Sequence, residues 1–187
     1  LFELRGLCRK RQNNFKGAIA DYDKTIEYEP DNKSLWYNRV LCRMEDKDYE
    51  RADQDLQVMM KRWKTYSQAF SLKAELCLQQ KDTIEGAKYL DKSLELNPYD
   101  GETWAVRSMI SLSQSKWRDA DQQLSKAIHL KPTNANYYVN RALARYNINN
   151  LRGALADYDK AIELEPNNFL AHYNRGQLRV QVGDDNR

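Results

Sequence analysis

Residues 153–168 read GALADYDKAIELEPNN and residues 17–32 read GAIADYDKTIEYEPDN, agreeing at most positions. Working outward from this pair, all four prolines, Pro30, Pro98, Pro132 and Pro166, stand at multiples of 34 residues from one another, with Lys64 in the one vacant slot. Phe2, Trp36, Phe70, Trp104, Tyr138 and, weaker, His172 form a second column with the same period. Ala18, Ala52, Gly86, Ala120 and Ala154 form a third, all small. Three columns in one register mean an array of like units rather than one globular core.

Apolar residues recur at three-to-four spacing on two segments of each unit, so each unit reads as helix A, a turn and helix B. The A helices are expected near 1–12, 34–46, 68–80, 102–114, 136–148 and 170–182, and the B helices near 15–28, 49–62, 83–96, 117–130 and 151–164. Between A and B stand Asn13-Asn14, Lys47-Asp48, Lys81-Asp82, Asn149-Asn150 and Gly183-Asp184, residues that tolerate turn geometry. Proline stops helix B by fixing φ and removing a donor. Asp31-Asn32, Thr133-Asn134 and Asn167-Asn168 lead into the next helix A as caps. The small residues let helices approach, while Trp36, Trp104, Tyr22, Leu56, Leu90, Leu124 and Tyr158 fill the space between units. One pair cannot bury its apolar face alone, so stability accrues between neighbours. The second unit is the weakest copy, with Val40 and Met59 in slots for small residues and Lys64 for proline.

The order of aromatic, small residue four later, small, bulky and proline resembles the tetratricopeptide (TPR) pattern at the same period. The resemblance covers the whole chain. It implies an all-α, right-handed superhelical solenoid of about five and a half repeats: 1–32, 33–66, 67–100, 101–134, 135–168 and a half repeat 169–187. The chain starts inside a helix A and stops in a turn, so it is expected to be a fragment of a longer array.

The resemblance also implies a concave groove lined by positions 2, 5, 6, 9, 12 and 13 of each repeat, counting with proline at 32. On this chain position 5 includes Glu3, Tyr37, Val139 and Tyr173; position 9 includes Leu41, Leu143 and Gln177; position 12 includes Lys10 and Tyr146. Position 6 is Asn38, Asn140 and Asn174, with Leu4, Leu72 and Val106 between. In similar proteins such asparagines bond the backbone of an extended peptide, since a side-chain amide donates and accepts at once. The groove candidates are therefore Asn140, Asn174, Val139, Leu143, Tyr146, Tyr173, Asn38 and Tyr37, with the C-terminal end favoured because adjacent asparagines occur there. No three consecutive repeats supply the Lys, Asn and Arg set that clamps a chaperone's terminal carboxylate, which counts against a chaperone-tail adaptor.

A basic column, Arg5, Arg39, Lys73, Arg107, Arg141 and Arg175, occupies position 7. It reads as scaffold ion pairs, because Asp21, Asp55 and Asp157 stand at the facing position of helix B, with Tyr89 opposite Lys73 and Gln123 opposite Arg107.

With 30 basic and 27 acidic residues the charge is nearly balanced, which gives no reason to expect nucleic acid or a membrane surface as partner. The basic runs Arg9-Lys10-Arg11 and Lys61-Arg62-Trp63-Lys64 read as solvated helix ends. No run approaches the roughly 20 apolar residues of a membrane span. Cys8, Cys42 and Cys77 sit in helical slots that suit a small buried hydrophobe, and an odd number without CxxC argues against disulfides or zinc. His129 and His172 read as a helix-end cation and a core-edge substitution. Metalloprotease, phosphate-loop and serine-elbow motifs are absent. The acids Asp21, Asp23, Glu27 and Glu29 recur as Asp157, Asp159, Glu163 and Glu165, as residues serving a repeat do.

The expectation is a non-enzymatic scaffold holding a peptide or helix of a partner protein, without cofactor. A second reading is a regulatory or spacer array attached to a catalytic or membrane-anchored region elsewhere. Self-association through the array ends is a further partner mode. A nucleic-acid repeat would need aromatics interleaved with Arg or Lys, and the groove positions carry hardly any.

Overall fold

The computed structural model describes residues 2–183. Among them are eleven helices and no strand: α1 (Phe2–Arg11), α2 (Phe15–Tyr28), α3 (Lys33–Glu45), α4 (Tyr49–Arg62), α5 (Ser67–Gln79), α6 (Thr83–Leu96), α7 (Gly101–Ser113), α8 (Trp117–Leu130), α9 (Ala135–Asn147), α10 (Leu151–Leu164) and α11 (Phe169–Val182). The B helices fall on their expected bounds and the A helices within one residue of theirs, apart from Leu1, which lies outside the described residues. Contacts divide the chain into two compact units, Leu1–Pro98 and Tyr99–Arg187.

Each A-to-B turn uses one left-handed residue, and all but the turn before α8 follow it with a side-chain cap. Asn13, Lys47, Lys81, Ser115 and Asn149 have φ of 56 to 65°, again at a 34-residue period. The next residue caps helix B: Asn14, Asp48, Asp82 and Asn150 accept from the backbone N–H three residues on. Lys116 makes no such bond, so α8 starts without a side-chain cap. Of the last expected turn pair, Gly183 is left-handed at φ 74° and Asp184 lies outside the described residues.

The aromatic and proline columns are joined. Trp36 Nε1 donates to the Pro30 carbonyl at 3.0 Å, Tyr138 Oη to that of Pro132 at 3.0 Å, and His172 Nε2 lies 2.8 Å from that of Pro166. His172 is thus a polar member of its column, exposed rather than lodged at a core edge. Phe70, following Lys64 in the vacant slot, has no polar atom to offer.

In the N-terminal unit one core gathers Ala18, Tyr22, Ile26, Leu35 and Cys42, and another gathers Val40, Met44, Ala52, Leu56, Met59, Ala69, Leu72 and Leu76. The oversized Val40 and Met59 are fully buried, so the second repeat packs around them. Cys42 and Cys77 are buried as expected, but Cys8 is exposed. In the C-terminal unit one core runs from Ala105 to Leu178 and includes Leu124, Tyr138, Ala142, Ala154 and Tyr158.

The position 7 arginines pair as the facing aspartates require. Arg5 meets Asp21 at 2.6 Å, Arg39 meets Asp55 at 2.6 Å, and Arg141 meets Asp157 at 2.7 Å. The same guanidinium also reaches sixteen residues back: Arg39 to Asp23 at 2.7 Å, Arg141 to Ser125 at 3.2 Å and Arg175 to Asp159 at 2.7 Å. Arg9, Arg43 and Arg145 form a second column on the same aspartates. Lys73 does stand over Tyr89, its ammonium 5.7 Å from the ring centroid, and its ion pair is with Asp53 of the preceding repeat. At Arg107 the contact to Gln123 runs through the Ser111 hydroxyl, which is 3.4 Å from Arg107 Nη1 and 2.9 Å from Gln123 Oε1.

Candidate peptide-binding face

Within the C-terminal unit, α9, α10 and α11 enclose a cleft of about 220 Å³. Leu143 and Tyr146 come from α9, Tyr158 from α10, and Tyr173, Asn174, Gln177, Leu178 and Gln181 from α11. The helical repeat explains the set: residues 173, 177 and 181, and 174 and 178, lie one turn apart on α11. No lining residue is charged.

The polar atoms at the rim satisfy one another. Tyr146 Oη donates to Gln181 Oε1 at 2.9 Å, and Gln177 Nε2 donates to the Tyr173 hydroxyl at 2.8 Å. Burial pushes the Tyr158 phenol up, and a hydrogen bond from the Asn174 amide partly offsets that rise. Phe169 stacks on Tyr173 with centroids 6.0 Å apart, adding exposed aromatic area beside the cleft. What remains for a ligand is apolar and aromatic surface, which favours an uncharged side chain.

Four expected groove residues, Leu143, Tyr146, Tyr173 and Asn174, come together here. Asn140 is half-buried one turn from the cleft and does not line it. Val139 is a correction: only 7% exposed, it packs into the core and offers little groove surface. The asparagines are also not idle, since Asn174 serves Tyr158 and Asn38 Nδ2 donates to the Ser34 carbonyl at 2.9 Å. Asn38 Oδ1 accepts from Lys10 Nζ at 3.1 Å, and Tyr37 is half-buried on the same helix. Gln181 falls on groove position 13, whereas Tyr158 and Leu178 stand at none of the expected groove positions. Tyr158 was legible only as core filler, yet its ring fills the core while its hydroxyl end reaches the cleft.

In the N-terminal unit burial raises the Tyr22 phenol to about 12 and the Cys42 thiol to about 11. The Glu75 carboxyl is pushed up, first by burial and then by the charge of Glu45. Among the described residues no group of three His, Cys, Asp or Glu side chains could hold a metal ion, and no helix is long and apolar enough to cross a membrane.

Comparison with known proteins follows the same register. Tetratricopeptide repeat models match residues 5–58 and 67–100, and a TPR repeat model matches 146–183, together more than half of the chain. The E3 ubiquitin-protein ligase CHIP of Arabidopsis thaliana is 29% identical over 89 residues, 48% of this chain. The match takes in 32% of that protein, so the chain spans about a third of the curated relative's length. YrrB, described as a TPR protein with an unusual peptide-binding site, superposes with a TM-score of 0.70 at 20% identity, over 93% of this chain and 90% of that one. The first TPR of Spaghetti, bound to the HSP90 peptide SRMEEVD, superposes with a TM-score of 0.60 at 23% identity, over 63% and 93%. At such identities the structures speak for the fold, and with the 34-residue register and the family matches they lead to one conclusion: the chain belongs to the tetratricopeptide repeat family.

Proposed function

We propose that the chain is a non-catalytic protein-interaction scaffold, and that a partner segment lies on the A-helix face of its C-terminal unit with an uncharged apolar side chain in the α9–α11 cleft. The observation that carries this reading is the cleft's uncharged, aromatic lining, whose polar atoms are already bonded to one another. Tyrosine anchors of this kind give contact area while the hydroxyl stays wet. Structural relatives described as peptide-binding or peptide-bound support the class of ligand. A tail as acidic as SRMEEVD fits this cleft poorly, because the lining has no cation to meet a carboxylate. The match to a third of a ubiquitin ligase favours a second reading at a coarser level, in which the array is the binding module of a longer protein.

The test is calorimetry on a partner recovered by pull-down. Tyr146→Ala with Tyr173→Ala is expected to weaken binding at least tenfold, as loss of an interface anchor does at about 2 kcal/mol. Asn140→Ala, on the same face but outside the cleft, weakens it less. Thermal unfolding stays nearly unchanged, since both tyrosines are substantially exposed. Unaltered binding by the double variant would move the site to the B helices.

A further inference from the structure

α11 repeats the face that α1 presents to α2. Residues 5–9 read RGLCR and residues 175–179 read RGQLR, in the same register of the 34-residue period. In the first repeat this face is filled. Arg5 Nε and Nη2 fork onto the Asp21 carboxylate at 3.0 and 2.6 Å, and Arg9 Nη1 reaches the same carboxylate at 2.8 Å. A Cβ on Gly6 would come within 3.0 Å of Tyr22 Cε1. The same two nitrogens of Arg39 take Asp55, and those of Arg141 take Asp157. On α11 the face is open. Arg175 uses Nη1 alone, on Asp159 at 2.7 Å, and its Nε and Nη2 bond nothing among the described residues. A Cβ on Gly176 would meet nothing within 4 Å among them, and Gly176 is exposed where Gly6, Val40, Ala74, Ser108 and Ala142 of its column are all buried.

We propose that the stripe His172, Arg175, Gly176 and Arg179 docks one amphipathic helix of a partner protein carrying Ala-x-x-Asp-Tyr, with the aspartate forked by Arg175 Nε and Nη2 and the tyrosine ring over Gly176. Charge selects the aspartate: a guanidinium edge with two parallel N–H donors matches a carboxylate in geometry as well as sign. Shape selects the tyrosine. Gly6 lies under Tyr22, whereas the bulkier Val40 of the same column stands opposite Leu56, so a glycine marks room for the larger ring. Both α2 and α10 carry the motif, as Ala18 to Tyr22 and Ala154 to Tyr158. Each of the helices α2, α4, α6, α8 and α10 already packs on the A helix of its own repeat, so a second copy has no such helix to lend and the occupant comes from a different protein. The four residues of the stripe stand at i, i+3, i+4 and i+7, on one side of α11. The cleft uses the adjoining flank, through Tyr173, Asn174, Gln177 and Gln181, so the two sites stand or fall separately.

The probe is an acetylated and amidated peptide copy of residues 14–29, NFKGAIADYDKTIEYE, titrated into the whole chain and followed through backbone amide NMR shifts. Shifts are expected in α11, centred on Gly176. A peptide with asparagine in place of the aspartate copied from Asp21 binds about tenfold more weakly, as loss of a charge-assisted fork does. Arg175→Lys, which keeps the charge without the fork, lowers affinity by about the same factor. Gly176→Gln does not destabilise the free chain, because its side chain enters open space, and it abolishes binding by filling the place of the tyrosine. Equal affinity for the aspartate and asparagine peptides, undiminished binding by Gly176→Gln, or the absence of shifts in α11 overturns the inference. So does a dimer of the chain alone that Arg175→Lys dissociates, which would give the face to a second copy.

Discussion

Tyr22 and Tyr158 occupy the same repeat position, yet their hydroxyls have different lives. The Asn174 amide lies near enough to the Tyr158 hydroxyl to offset part of the rise that burial causes in its pKa, whereas Asn38, its equivalent, is held by Lys10 and by Ser34, leaving the Tyr22 hydroxyl buried and alone. A buried hydroxyl without a partner costs about 1–3 kcal/mol, and a made hydrogen bond contributes about 1. Tyr22→Phe is therefore expected to stabilise the N-terminal unit by about 1 kcal/mol, and Tyr158→Phe to destabilise the C-terminal unit by a similar amount. Urea unfolding of the two variants checks the opposite signs. Destabilisation by Tyr22→Phe would mean that the phenol has a partner after all. The sequence could show that Tyr and Asn recur together at sixteen residues' spacing; it could not show which amide turns inward, because that depends on whether Lys10 or Tyr146 stands across from it.

At the scale of the element, the helices were almost wholly legible. Proline, the asparagine and aspartate caps and the 34-residue period act locally, so the B helices could be bounded without knowledge of the packing. The ion pairs were half legible. Opposition of Arg39 and Asp55 follows from antiparallel helices inside one repeat, but the reach of Arg39 back to Asp23 depends on how repeats stack. The same reason hid the Lys73–Asp53 pair and the burial of Val139. The cleft lay between these cases, with its α9 and α11 tyrosines foreseen and its floor from α10 missed. One helix start remains imperfect: α8 follows the left-handed Ser115 and the capless Lys116, where the other B helices have Asn or Asp. Lys116→Asp is expected to cap α8 and stabilise it by about 1 kcal/mol. Amide hydrogen exchange in the first turn of α8 should then slow about fivefold, with α9–α11 unaffected. An unchanged exchange rate would show that the turn geometry, not the cap, limits this end.

For the molecule as a whole, charge is the part of the scaffold most open to solution conditions. Hydrogen bonding from Arg5 holds the Asp21 carboxyl below its usual range, against the opposing effect of burial. A depressed folded pKa means that this contribution to stability is fully present above the unfolded carboxylate value of about 3.9 and is lost as pH falls through the folded one. Asp21→Asn is expected to lower the stability of the N-terminal unit at neutral pH and to flatten its decline in acid, so that variant and parent converge once pH has fallen through the lowered folded value. Denaturant midpoints measured across that range test it, and parallel curves would assign the acid sensitivity to other carboxylates.

The two-way reach of the position 7 arginines has a consequence for how such a chain is inherited. Arg39 holds Asp55 of its own repeat and Asp23 of the one before, each sixteen residues away, and Arg141 does likewise with Asp157 and Ser125. A copied 34-residue block therefore arrives carrying both a hand for the block upstream and a grip for the block downstream. Where the upstream block supplies an aspartate, as Asp23 and Asp159 do, duplication of that block leaves no position 7 arginine unpaired, and the array can lengthen by unequal crossing-over without first having to invent a new joint.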